Sequence, residues 1–202
     1  MCEEETKMRV YNNLPEGYGE ILCVDLQKDK KLMLFVNLLA VLIGVLMAVP
    51  MHFVVPIGSM FSMEQGLLAY GLRFAALLVL MVLYMVLHEL THGIAMKLCG
   101  TKKIRYGFTG MYAFAGSDDY YPKVPYIFIA LAPVVLLGSV IALVNPLVPV
   151  EWFWIVWILQ IINISGAAGD FYVTLRFLRL PGDILVRDHG TGMRVYAKVR
   201  EG

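Results

Sequence analysis

The sequence is short of charge. Only 16% of its 202 residues are Asp, Glu, Lys or Arg, while 59% are apolar, and soluble domains carry about a quarter charged residues. That balance excludes an ordinary water-soluble globule. Cysteine is also scarce: Cys2, Cys23 and Cys99 form an odd, scattered set with no CxxC pair. They cannot build a disulfide framework and read as free thiols on the reducing side of a membrane. Cys2 follows the initiator Met with no apolar stretch before it, so no lipoprotein signal is expected. The first apolar segment begins too late for an ordinary cleaved signal peptide, and no small-x-small site follows it. Four histidines are too few for a membrane di-iron oxygenase. A formal net charge of +1, with its basic residues beside apolar runs, gives no support to nucleic-acid binding. Repeats and low-complexity tracts are absent.

The apolar residues come in four long runs: about 32–49, 67–98, 126–144 and 152–175. Eighteen residues at about 1.5 Å each nearly cross a hydrocarbon core of about 30 Å. Pro50 and Pro56 are expected to break the first run and Pro133 to kink the third, because proline lacks the backbone donor. His52, between the first two prolines, reads as an interfacial histidine. Trp152, Trp154 and Trp157 open the fourth run like an interfacial belt. Every one of the seventeen basic residues except Arg73 falls on one side of this layout. By the positive-inside rule that side is cytosolic, with both termini there. The expected fold class is an all-α integral membrane protein of the cell membrane: four transmembrane helices with small cytosolic β-hairpins. Residues 1–31 form a cytosolic tail, 32–175 the four-span core, 99–125 a cytosolic hairpin loop and 176–202 a second cytosolic tail.

Near the end of the second run stands His88-Glu89-Leu90-Thr91-His92. On a helix, positions i and i+4 share a face, so both imidazoles can meet one metal ion, and zinc suits such a donor set. Glu89 can reach a water at the metal and act as general base. A catalytic zinc site needs a third protein ligand and an open position. Asp170 is the only acid between Trp152 and Leu175. By residue count it lies at the depth of the histidines, which makes it the first candidate. Asp183, Asp188 and His189 lie beyond the span and are the substitutes. Gly166, Ala167, Ala168 and Gly169 permit close helix approach or loosen the helix to aim the carboxylate. Asn163 is a candidate for holding a substrate backbone or a neighbouring helix.

His-Glu-Leu-Thr-His-Gly in a membrane helix, followed by a Gly-rich turn to Asp170 in a later one, resembles the site-2-protease-like membrane zinc metalloproteases. The four-span layout, with Ala132-Pro133 in the third span and Ser165-Gly-Ala-Ala-Gly-Asp170 in the fourth, is more similar still to the bacterial zincin peptidase family first catalogued as a domain of unknown function. The resemblance covers roughly residues 30–190. It implies intramembrane or juxtamembrane peptide hydrolysis, with zinc held by His88, His92 and Asp170 and Glu89 as base. Site-2 proteases carry Asn-x-x-Pro and then Leu-Asp-Gly, with the Asp eight positions after the Asn. Here Asn163 and Asp170 are seven apart, Gly166 stands in for the Pro, and Phe171 follows the Asp.

A peptide bond in a membrane helix must be unwound before it can be cut, and a strand edge would hold it extended. Residues 104–114, with Thr109-Gly110 at the turn, read as such a hairpin; a mere cover for the cytosolic mouth is the competing reading. A second hairpin is expected over 184–196, and Tyr18–Val24 as a short strand. The expected partners are the lipid bilayer and a membrane-protein or peptide substrate. The alternative function is a non-hydrolytic metal-binding membrane protein, a transporter or a protease-like scaffold. The sequence does not speak to substrate identity or oligomeric state.

Overall fold

The computed structural model describes residues 10–110, 113–190 and 192–199. In order, the elements are β1 (Tyr18–Val24), α1 (Lys30–Val54), α2 (Leu67–Leu98), β2 (Arg105–Phe108), β3 (Ala113–Gly116), β4 (Tyr120–Pro122), α3 (Lys123–Val144), α4 (Val150–Gly166), α5 (Ala168–Leu178), β5 (Leu185–Asp188) and β6 (Met193–Lys198). Short 3-10 turns cover Ile57–Phe61 and Asn145–Leu147. Four helical segments are long and apolar enough to cross a bilayer: Lys30–Val54, Leu67–Leu98, Lys123–Leu147 and Val150–Leu178.

Two of these segments depart from expectation. The first helix does not stop at Pro50 but continues to Val54. A proline removes one donor, and the residues after it keep theirs: the Val55 N–H still reaches the Met51 carbonyl at 2.8 Å. In an apolar setting an unmade backbone bond is costly, so the helix is retained around the defect. The fourth segment is not one helix. It breaks at Ala167 (φ −81°, ψ 14°), where Gly166 lowers helix propensity, and α5 starts afresh. Asp170 therefore sits in the first turn of a new helix, where the N-terminal dipole favours a carboxylate.

The chain forms two compact units. One comprises Val36–His88 and Pro133–Gly169. Its helices bury Met60, Trp154 and Ile155 against Phe74, Leu77 and Trp157. The Trp154 and Trp157 indole N–H groups donate to the carbonyls of Val55 and Met47. His52 Nδ1 accepts the Ile57 N–H at 3.1 Å and so closes the end of α1. Along the whole of α1 no residue is buried. Leu38, Val41 and Leu46 are each about 60% exposed, an apolar surface suited to lipid.

The other unit comprises Met1–Phe35, Glu89–Ala132 and Asp170–Gly202. It is not all-α. β1, β6, β5 and β4 form one antiparallel sheet in that order, and β2 pairs with β3 in a separate hairpin. The expected strands are present, but the 184–196 hairpin is no isolated appendage: β6 pairs with β1 from Tyr18↔Lys198 to Val24↔Met193, and β5 pairs with β4. The tip of the β2–β3 hairpin, Met111 and Tyr112, lies outside the described residues. The sheet covers a core of Met96, Tyr121, Tyr126, Ile129, Phe177, Ile184, Val186 and Val195, all at most 3% exposed. Cys23 and Cys99 are free thiols.

Candidate metal centre

Tyr84, His88 and His92 recur every four residues on α2 and so form one stripe. Each histidine has a partner at Nδ1. The hydroxyl of Tyr84 lies 2.8 Å from His88 Nδ1 and donates to Asn163 Oδ1 at 2.9 Å. The Asn163 amide donates from Nδ2 to the Val134 carbonyl at 3.2 Å. This chain of bonds has only one direction. A carbonyl accepts and never donates, so Val134 decides which end of the amide it faces. Oδ1 is then left for the single proton of Tyr84, and the Tyr84 oxygen accepts from His88 Nδ1–H. The Nε2 of His88 keeps its lone pair.

His92 reaches the same state by another route. Its Nδ1 is 2.9 Å from the Ile129 carbonyl, which accepts and never donates, so Nδ1 carries the hydrogen of that bond and Nε2 is the nitrogen turned toward Asp170. Nε2 stands 3.9 Å from Asp170 Oδ2, the two side chains being 11% and 26% exposed. One ligand-capable atom each from His88, His92 and Asp170 lies within 4.8 Å of the others. Two imidazoles and a carboxylate so grouped fit a borderline-soft divalent ion such as zinc, whose ligands stand about 2.0–2.2 Å from it.

Glu89 follows His88 on α2 and lies in the electrostatic field of His92, Asp170 and Asp188. Its carboxylate accepts the Ala115 N–H from β3, so the hairpin touches the proposed base directly. Gly93, one turn further on, is what admits the hairpin. A Cβ there would fall on the Tyr106 hydroxyl of β2. The Tyr106 phenol is pushed up from its ordinary value by partial burial and by the nearby Glu89 charge.

The substitutes for the third ligand have other surroundings. Asp183 is exposed. His189 Nδ1 stands 3.9 Å from Asp118, and burial followed by the Arg187 charge pulls its imidazole below the usual value. Asp188 accepts the Tyr126 hydroxyl at 2.6 Å and the Gly190 N–H at 2.7 Å. Burial raises its carboxyl above the usual range against those two bonds. Asn163 is fully buried, with its amide committed to Tyr84 and Val134. The sequence reading missed Tyr84, yet its signal was present: it stands four residues before His88, as His92 stands four after.

Four apolar segments of membrane length, with a His-x-x-x-His pair, an adjacent glutamate and an aspartate from a later helix that could together hold a metal ion, define a class: helical proteins with a candidate His-Glu-x-x-His metal site. Within that class the chain belongs to the family described as "Putative zincin peptidase", which matches residues 81–185, just over half of its length. It is 31% identical over 126 residues to an uncharacterized 24.7 kDa protein of Pyrococcus woesei, covering 60% of this chain and 54% of the relative. The chain thus spans about half the length of that relative. No solved structure matches it.

Proposed function

We propose that the protein is a zinc-dependent metallopeptidase embedded in the cell membrane, of the site-2-protease kind, that hydrolyses a peptide bond of a membrane-associated protein near the cytosolic face. The observation that carries the reading is the stripe on α2. Both histidines have a partner at Nδ1, the Asp170 carboxylate is 3.9 Å from His92 Nε2, one ligand-capable atom each of His88, His92 and Asp170 lies within 4.8 Å of the others, and Glu89 follows His88 in the chain. His88, His92 and Asp170 would hold the zinc. When bound, it supplies Lewis acidity toward a water and a substrate carbonyl. Glu89 takes the proton of the attacking water and returns it to the departing amine. The Ala115 N–H bond holds the Glu89 carboxylate in a fixed orientation while it does so. Tyr84 and the Ile129 carbonyl keep the two imidazoles turned toward the ion. The one-sided distribution of Lys and Arg supports cytosolic termini.

The test is metal content. Detergent-purified protein should contain one zinc per chain, and His88→Ala, His92→Ala and Asp170→Ala should each lose it. A wild-type protein purified without zinc and unable to take it up would sink the proposal.

A further inference from the structure

In an α-helix the N–H of residue 133 bonds to the carbonyl of residue 129. Residue 133 is proline, inside α3, and proline has no N–H. The Ile129 carbonyl therefore lacks its helical partner. Ile129 is 2% exposed, so water is a poor substitute, and an unmade backbone bond in an apolar setting costs several kcal/mol, roughly. The carbonyl has found a different donor: His92 Nδ1, at 2.9 Å. A second effect acts in the same direction. The proline ring crowds the carbonyl four residues before it and tilts that oxygen away from the helix axis, where a side chain from another helix can reach it.

We propose that Pro133 is a positioning residue for the metal centre. By withholding one backbone donor it reserves the Ile129 carbonyl for His92, and that carbonyl fixes the tautomer and rotation in which His92 presents Nε2. The proline ring need not touch the site. The inference rests on the metal-centre reading for its purpose, though not for its geometry. It also separates the two histidines. His88 is set by Tyr84 and Asn163, whose amide bonds the Val134 carbonyl and not that of Ile129, so the loss of the Ile129 carbonyl falls on His92 directly.

The experiment uses the full chain in detergent with two replacements at one position. Pro133→Ala restores an N–H that competes for the Ile129 carbonyl. A backbone ester at 133, introduced as an α-hydroxy acid, removes the ring but supplies no N–H. Zinc affinity is measured by chelator competition. The His92 tautomer is read in metal-free protein from ring ¹⁵N shifts, and the melting midpoint is recorded alongside. Pro133→Ala should bind zinc about 10–100-fold more weakly, the range typical of losing an outer partner to a ligating histidine. His92 should lose its fixed Nδ1–H signature while His88 keeps its own. The metal-free midpoint should stay level or rise, since alanine is the better helix former. A merely structural proline would not move affinity and stability in opposite directions. The ester should bind zinc like the wild type. An alanine variant with wild-type affinity and an unchanged His92 tautomer overturns the proposal, and so does an ester that loses affinity as alanine does. A wild type that binds no zinc sinks the function proposed above, and the metal-free tautomer comparison still judges Pro133.

Discussion

Tyr84 gives its only hydroxyl proton to Asn163, 79 positions away in the chain and 2.9 Å away in space. That bond decides which nitrogen of His88 carries hydrogen, because the Tyr84 oxygen then has only lone pairs to offer. Tyr84→Phe keeps the ring and removes the relay. Zinc affinity should fall about 10–100-fold, and the melting midpoint should drop as well, because the buried Asn163 Oδ1 loses its donor. Gly138→Ala attacks the same relay from behind, since a Cβ there would lie 2.5 Å from Asn163 Nδ2. It should weaken zinc binding in the same direction. Affinity unchanged in both variants would remove the relay from the account.

Glu89→Gln separates holding the ion from doing chemistry. Zinc content should remain at one per chain, while cleavage should drop by about 10²–10⁴-fold, the usual contribution of a positioned proton carrier. The readout is the set of new N-termini in membranes carrying wild-type or variant protein. A transport or scaffolding activity that survives the change intact would instead favour a non-hydrolytic metal protein.

Gly93→Ala should spare the metal and disturb the hairpin. The new methyl would occupy the place of the Tyr106 hydroxyl, so the half-exposed Tyr106 ring must swing aside and the hairpin with it. The expected outcome is full zinc occupancy, a lower melting midpoint and reduced hydrolysis, because Ala115 no longer meets Glu89 squarely. Unchanged turnover would show that the hairpin is irrelevant to the base.

Asp118 offers a pH test outside the helices. Bonds from Arg187 at 2.9 Å and Arg105 at 2.8 and 3.0 Å hold its carboxyl below the usual range. A depressed folded value means the stabilisation is present above the unfolded value and disappears as pH falls through the folded one. Asp118 is 59% exposed, so solvent screening limits the effect to about 1 kcal/mol or less. Asp118→Asn should lower the melting midpoint slightly at neutral pH, less in high salt, and less still at acid pH as the folded carboxyl takes up its proton. An equal difference between the two proteins at both pH values contradicts the ion-pair explanation.

Local pattern made much of this legible. The apolar runs announce four membrane-length helices. The i, i+4 spacing of His88 and His92 places them on one face before any coordinates exist, and the short apolar run at the end of Tyr18–Val24 reads as a strand. What escaped was non-local. Nothing near Tyr18 says that its partner is Lys198, so the sequence yields separate hairpins where the protein has a four-stranded sheet. Pro50 was misread because a proline's effect depends on whether its neighbours can afford to leave the helix. The break at Ala167 was better signalled, since small residues crowd the approach to Asp170. Tyr84 lies on the same helix as His88, but Asn163, which orients it, and the Ile129 carbonyl that meets His92 come from other helices and become visible only in space.

The strand order also sets a schedule for synthesis. β6 lies between β1 and β5, so β1 must wait for β6 while the four membrane-length segments are made in between. Until then β1 presents an open edge to any other strand nearby, and such distant pairings close slowly. A chain released early, before Met193, would carry every candidate metal donor and an incomplete sheet. Its defect would lie in assembly, not in chemistry.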